Sequence, residues 1–176
     1  MVSFRAKPLL IKSIALACTA ILNCISPASA SATYQYGSVT NWTIFKTNQG
    51  CIAETKTLND VIALRTVKGG GLVTLYNPQM TIPAGQYLIG FDVGPPHDFH
   101  GNMKAFVAKN FEKAITVALQ HQDFLAVADS GWVQFDLGEH KHFVNLGEGT
   151  AAIRALQMCE TSDHDPFANA GGGLIN

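Results

Sequence analysis

The chain has 176 residues, 47% hydrophobic and 14% charged, with 12 Lys and Arg against 13 Asp and Glu. That length suits one domain with a sizeable core. A charge near zero gives no electrostatic reason to seek nucleic acid or anionic lipid.

Residues 1–30 read as a secretory signal peptide. Arg5, Lys7 and Lys12 precede an apolar run over 14–25, Pro27 breaks the run, and Ala28-Ser29-Ala30 supplies the small-x-small end. Cleavage is expected after Ala30, with a cut after Ala32 as the alternative. It would remove three basic residues and leave nine against 13 acidic ones, a mildly acidic domain. No later apolar run reaches the roughly 20 residues needed for a membrane-spanning helix. Cys18 and Cys24 lie in the leader, and their surroundings fit an acylation pattern poorly. Cys51 and Cys159 remain, and an even pair in an exported protein predicts a disulfide. Two buried free thiols are the alternative.

Strand signals dominate the chain beyond the leader. Residues 42–46 and 51–55 are joined by Asn48-Gln49-Gly50, and 61–67 and 72–76 by Gly69-Gly70-Gly71. Breaks at Asn77-Pro78 and Pro83-Ala84-Gly85 precede a strand over 87–93. Val107, Phe111, Ile115 and Leu119 could line a helix face. The stiff Thr116 and Val117 favour two strands instead, over 103–107 and 114–119. A short helix is expected at 123–128, ended by Ser130-Gly131. Residues 132–136 alternate, with Trp132, Gln134 and Asp136 on one face, and 142–146 could return as the hairpin partner. The clearest helix is the last, over 151–159. Thr150 is its expected N-cap. Ala152, Leu156 and Cys159 share one face, flanked by Ile153 and Met158, so Cys159 can point toward Cys51. Residues 162–176 are small, polar and Gly-rich and predict a flexible tail. The expected fold is therefore α+β and β-rich, one domain over 31–161: an antiparallel sheet or sandwich with a C-terminal helix packed on it.

The aromatic strand at Asn41-Trp42-Thr43-Ile44-Phe45, the cysteine after it, the β-rich middle and the closing Gly149-x-x-Ala152-x-x-x-Leu156-x-x-Cys159 helix form a recognisable layout. Over roughly residues 40–160 it resembles small exported Gram-negative proteins of the invasion-associated locus B type, and small accessory proteins of type VI secretion. The resemblance implies an envelope location and brings no catalytic residue with it.

Candidate chemistry centres on histidine. Asp92-Val93-Gly94-Pro95-Pro96-His97-Asp98-Phe99-His100-Gly101-Asn102 carries a His-x-x-His pair, a spacing that serves zinc or copper when a helix aligns both rings. Pro95, Pro96 and Gly101 oppose a helix, and the stretch reads as a solvent-facing connection that turns back at Gly101-Asn102. His140 and His142 would share a face in a strand. With His97 or His100 they could gather three imidazoles. Asp163-His164-Asp165 falls in the expected tail. No Gly-x-Ser-x-Gly elbow is present. Gly69-Gly70-Gly71 lacks the Lys-Ser/Thr of a phosphate loop. Asn41-Trp42-Thr43 matches a glycosylation sequon, relevant only to a eukaryotic secretory route. The sequence thus points to an exported, non-enzymatic binding or interaction protein of the periplasm or cell envelope. Its expected partner is a protein or another envelope component, with no cofactor and no nucleic acid. The alternative is a metal-binding protein or metal-dependent hydrolase holding zinc or copper at His97, His100, His140 and His142. A purely structural envelope component is a third reading.

Overall fold

A computed structural model describes residues 33–162; the expected leader (1–30) and nearly all of the expected tail, with Asp163-His164-Asp165, lie outside that range. The chain runs β1 (Tyr34–Val39), β2 (Trp42–Thr47), β3 (Gly50–Lys56), β4 (Val61–Val67), β5 (Gly70–Tyr76), β6 (Gly85–Val93), β7 (Phe99–Val107), β8 (Ala114–Gln120), α1 (His121–Asp129), β9 (Trp132–Asp136), β10 (Lys141–Asn145) and α2 (Gly149–Thr161).

All ten strands form one sheet in the order β1-β2-β3-β4-β5-β8-β7-β6-β9-β10, and each pairing is antiparallel. The β4/β5 hairpin turns on Lys68-Gly69, because Val67 pairs with Gly70. Gly69 takes φ +85° there, a conformation that favours glycine. The middle segment is two strands, as the stiff Thr116 and Val117 indicate. β7 starts earlier than expected, at Phe99, so His100, Gly101 and Asn102 are strand residues and the expected turn at Gly101-Asn102 is replaced. The pairing of Asp92 with His100 and Phe91 with Gly101 draws these residues into the ladder. β1 was not signalled by the sequence, which has Gly37 and alternating tyrosines there.

Alternation sets the core. Trp42, Ile44, Cys51, Ala53, Ile62, Leu64, Val73, Leu75, Phe91, Val117, Val133, Phe135 and Val144 are buried on the inner face. α1 packs on β5 and β8, α2 on β2 and β3, and the helices on each other. Phe124 of α1 lies where a side chain on Gly71 would stand, 2.3 Å from its virtual Cβ, so only glycine admits the ring. On α2, Ala152, Ile153, Leu156 and Cys159 face inward, whereas Met158 is 65% exposed and does not flank the core as expected. Thr150 is not the helix cap. Glu148 holds that position without a side-chain cap bond, and the Thr150 hydroxyl donates to Asp129 Oδ1 at 3.2 Å.

The sheet bends back until its two ends meet. The Trp42 indole N–H, fully buried on β2, donates to the Leu146 carbonyl just after β10 at 2.9 Å. An unpaired indole N–H here would cost about 1–3 kcal/mol, so this bond fixes where the ends close. Cys51 of β3 is bonded to Cys159 of α2, with Cα atoms 6.2 Å apart and 108 residues of separation.

Candidate functional site

The four candidate histidines have separate surroundings. His97, in the β6/β7 connection, bonds through Nε2 to Asp129 Oδ2 at 3.2 Å. His100, on β7, faces Asp92 Oδ1 at 3.3 Å across the β6 pairing. His140 lies in the β9/β10 turn, not in a strand with His142, and its carbonyl accepts the Leu137 N–H at 2.9 Å. His142 points inward, its side chain 13% exposed, with Nδ1 3.0 Å from Asp60 Oδ1. The same oxygen accepts the Asn77 amide at 2.7 Å. His140 and His142 do not share a face because β10 begins at Lys141. Among the described residues no group of three or more His, Cys, Asp and Glu is placed to hold a metal ion.

Two surfaces on the outer side of the sheet emerge instead. The first is a trough of about 550 Å³ over β3, β4, β5 and β8. Register builds it in rows that cross the strands. Ala63 pairs with Thr74, and Thr74 with Thr116, giving a floor of small side chains that Glu54, paired with Ala63, borders. Thr74 and Thr116 share a hydroxyl hydrogen bond of 2.9 Å. Arg65 and Leu72 rise on one side, Val61 and Tyr76 on the other, and Phe111 also lines the trough. Leu72 faces outward yet is only 8% exposed. Burial pushes the Glu54 carboxyl above its ordinary 4.5, and the Lys56 charge partly opposes the shift. Arg65 donates to the Gln49 carbonyl at the trough's end.

The second surface crosses β7, β6, β9 and β10. Phe143 pairs with Gln134, Gln134 with Asp92, and Asp92 with His100, all on the outer side. Gln134 donates to Asp92 Oδ2 at 3.1 Å. Beside this row stands Trp132, its ring centroid 5.1 Å from that of Phe143 and the planes 35° apart. The indole lies over Gly94, where a Cβ would meet its Nε1 at 2.4 Å. Asp136 and Lys141 pair at 3.2 Å on the next row. The Gly138 N–H, then Lys141, hold the Asp136 carboxyl below the usual carboxylate range.

The alternation at 132–136 placed Trp132, Gln134 and Asp136 together in the sequence. Asp60, Asp92 and Asp129 as histidine partners were not signalled, because each lies far along the chain from its partner or across a ladder whose register the sequence left open. The trough's face was readable in Ile52-x-Glu54-x-Lys56, Val61-x-Ala63-x-Arg65 and Leu72-x-Thr74-x-Tyr76, but not the stacking of its rows. Compared with protein-family models, curated proteins and solved structures, the chain matches none.

Proposed function

We propose that the chain is an exported, non-enzymatic binding protein of the bacterial periplasm or cell envelope, and that it grips a protein partner in the trough. The observation that carries this reading is the make-up of an outward sheet face. The solvated face of an antiparallel sheet is ordinarily polar. Here it presents Ile52, Val61, Leu72 and Ala114 around the small Ala63, Thr74 and Thr116, with Phe111 of the β7/β8 connection also lining the trough. A contiguous concave apolar face with a polar rim is the usual form of an interaction site. The occupant that fits is an apolar segment of a partner chain lying across the strands, with a hydrogen-bond donor or cation opposite Glu54. The disulfide supports an oxidising compartment. The leader-like N-terminus, and a layout that resembles invasion-associated locus B and type VI secretion accessory proteins, support the envelope.

Photo-crosslinking tests the reading. A photoreactive residue replacing Ala63 in the trough is expected to give a discrete adduct in periplasmic extract, and Thr74→Arg in the same chain is expected to abolish it. The same residue at Lys104, on the other half of the sheet, serves as control. Identical adducts from both positions, or none from position 63, would count against a trough-bound partner.

A further inference from the structure

We propose that the outer face of β7, β6, β9 and β10 is a carbohydrate-binding platform that takes an extended, β-linked pyranose chain. The site is separate from the trough, and the inference does not depend on the trough's occupant.

The platform combines two kinds of group on one face. Trp132 lies down over Gly94, and Phe143, 54% exposed, stands beside it. Trp132 is half-buried, with one face of its indole resting on Gly94, and aromatic rings at a surface are what the apolar C–H face of a pyranose covers. Next to the rings runs the row Gln134, Asp92, His100. Asp92 is held from both sides, by Gln134 at 3.1 Å and by His100 at 3.3 Å. Gln134 uses one amide hydrogen in that bond and keeps its Oε1, while His100 keeps Nε2; no partner within the described residues occupies either atom. These are planar donors and acceptors, already oriented, of the type that vicinal hydroxyls engage in pairs. From Phe143 to His100 the row crosses three strand spacings, about 14 Å, enough for a short oligosaccharide. Gly90 and Gly94 keep the face flat: a Cβ on Gly90 would meet Asp136 at 2.9 Å.

A protein partner suits this face less well. An apolar interface core would have to cover Gln134, Asp92, His100, Asp136, Lys141 and Asn102, and each group left unmatched costs desolvation. A polyol replaces the water on those groups with hydroxyls and still covers the two rings. A chain with equatorial hydroxyls and β-links is flat enough to lie on the rings while its hydroxyls point sideways to the polar row.

The protein has two tryptophans, and Trp42 is fully buried, so a ligand-induced change in tryptophan emission reports on Trp132. The probes are cellohexaose and chitohexaose, with the curved α-linked maltohexaose as control. We expect a saturable emission change with at least one β-linked probe. Calorimetry should show its affinity reduced by about tenfold or more in Trp132→Ala and in Phe143→Ala, as for loss of a central aromatic contact. Gln134→Ala should weaken it as well. Ala63→Trp, which fills the trough, should leave it unchanged. Phe143→Ala removes an exposed ring, so it keeps the proposal testable if Trp132→Ala fails to fold. No saturable change with either β-linked probe would overturn the proposal. So would undiminished affinity in folded Phe143→Ala, equal affinity for maltohexaose, or a dimer that Phe143→Ala dissociates. The crosslink from position 63 is read separately, so failure of one site leaves the other standing.

Discussion

The two halves of the sheet are secured by different means. β1 to β5 with β8 have both helices on their inner face and the Cys51 to Cys159 bond tying β3 to α2. β6, β9 and β10 have no helix among their main packing partners. Their inner face is closed by Phe91 and Phe135, which meet edge to face at 5.1 Å, and by polar contacts to the far half. Those contacts are the Trp42 indole on the Leu146 carbonyl and His142 on Asp60. The outer faces differ correspondingly, an apolar trough on the helix-backed half and a polar aromatic platform on the other. The half with more apolar backing also carries the deeper concavity. The half held by directional bonds carries a flat face whose side chains are fixed by neighbours in the ladder.

The sharpest test of this contrast compares one core residue from each half. Phe135→Ala should cost about 3–5 kcal/mol and Leu156→Ala about 2–5 kcal/mol, each through lost transfer energy and a cavity. Urea unfolding followed by circular dichroism measures both. A loss below about 1 kcal/mol for Phe135→Ala, within the range of surface changes and mild core swaps, would mean that the second half is not packed as described.

Removing the covalent tie comes next. Replacing Cys51 and Cys159 together by alanine should cost about 2–5 kcal/mol, largely by freeing a long loop in the unfolded chain. The unfolding midpoint should move, while crosslinking and sugar binding persist below it. Loss of sugar binding at full fold occupancy would show that the tie reaches across to the half it does not touch.

The polar pin should contribute less. Asp60→Ala leaves the His142 Nδ1 and Asn77 amide without their acceptor, and about 1–3 kcal/mol should be lost for a buried polar group stripped of its partner. His142→Ala in the Asp60→Ala background should cost less than His142→Ala alone, because the shared bond is already gone. Additive losses in the double-mutant cycle would remove the pin from the account.

The smallest effect concerns pH. Glu54 has a carboxyl raised by burial in the trough. Between its ordinary value and its raised one, the folded protein holds a proton that the unfolded chain has released. Stability therefore falls as pH rises through that window, and the cost is fully present above the folded value. Glu54→Gln should flatten this part of the pH profile of the urea midpoint and leave the protein at least as stable at neutral pH. A profile unchanged by the substitution would mean that the trough is wetter than its lining implies.

Much of the architecture was legible because it follows local rules. β-Branched and aromatic runs between turn residues, with alternation at 132–136, located nine of the ten strands in type and approximate place, the Gly69 turn marked a hairpin, the 152, 156, 159 face located the helix, and the even cysteine pair indicated the disulfide. β1 was not, because its Gly37 and polar Gln35 and Ser38 dilute the strand pattern. The short N-terminal extension of β7 was also missed: Gly101-Asn102 carries turn chemistry that cross-strand pairing overrides. The sites were less legible. A row such as Phe143, Gln134, Asp92 and His100 joins four strands, and only the register, a tertiary property, places its members side by side. The inward histidine at 142 illustrates the same limit, since nothing near it in sequence announces Asp60.

The strand order has a consequence for how the chain folds. β1 to β5 can pair one after another along the chain, each hairpin closing on the last. The outer edge of β5, Gly70–Tyr76, then waits, because its neighbour is β8 and not β6. Until Ala114–Gln120 has docked, Leu72, Val73 and Leu75 form an open, sticky border that another unfolded chain could join. This interval, in which the β6/β7 hairpin has no place in the sheet, is when the folding chain is most open to aggregation.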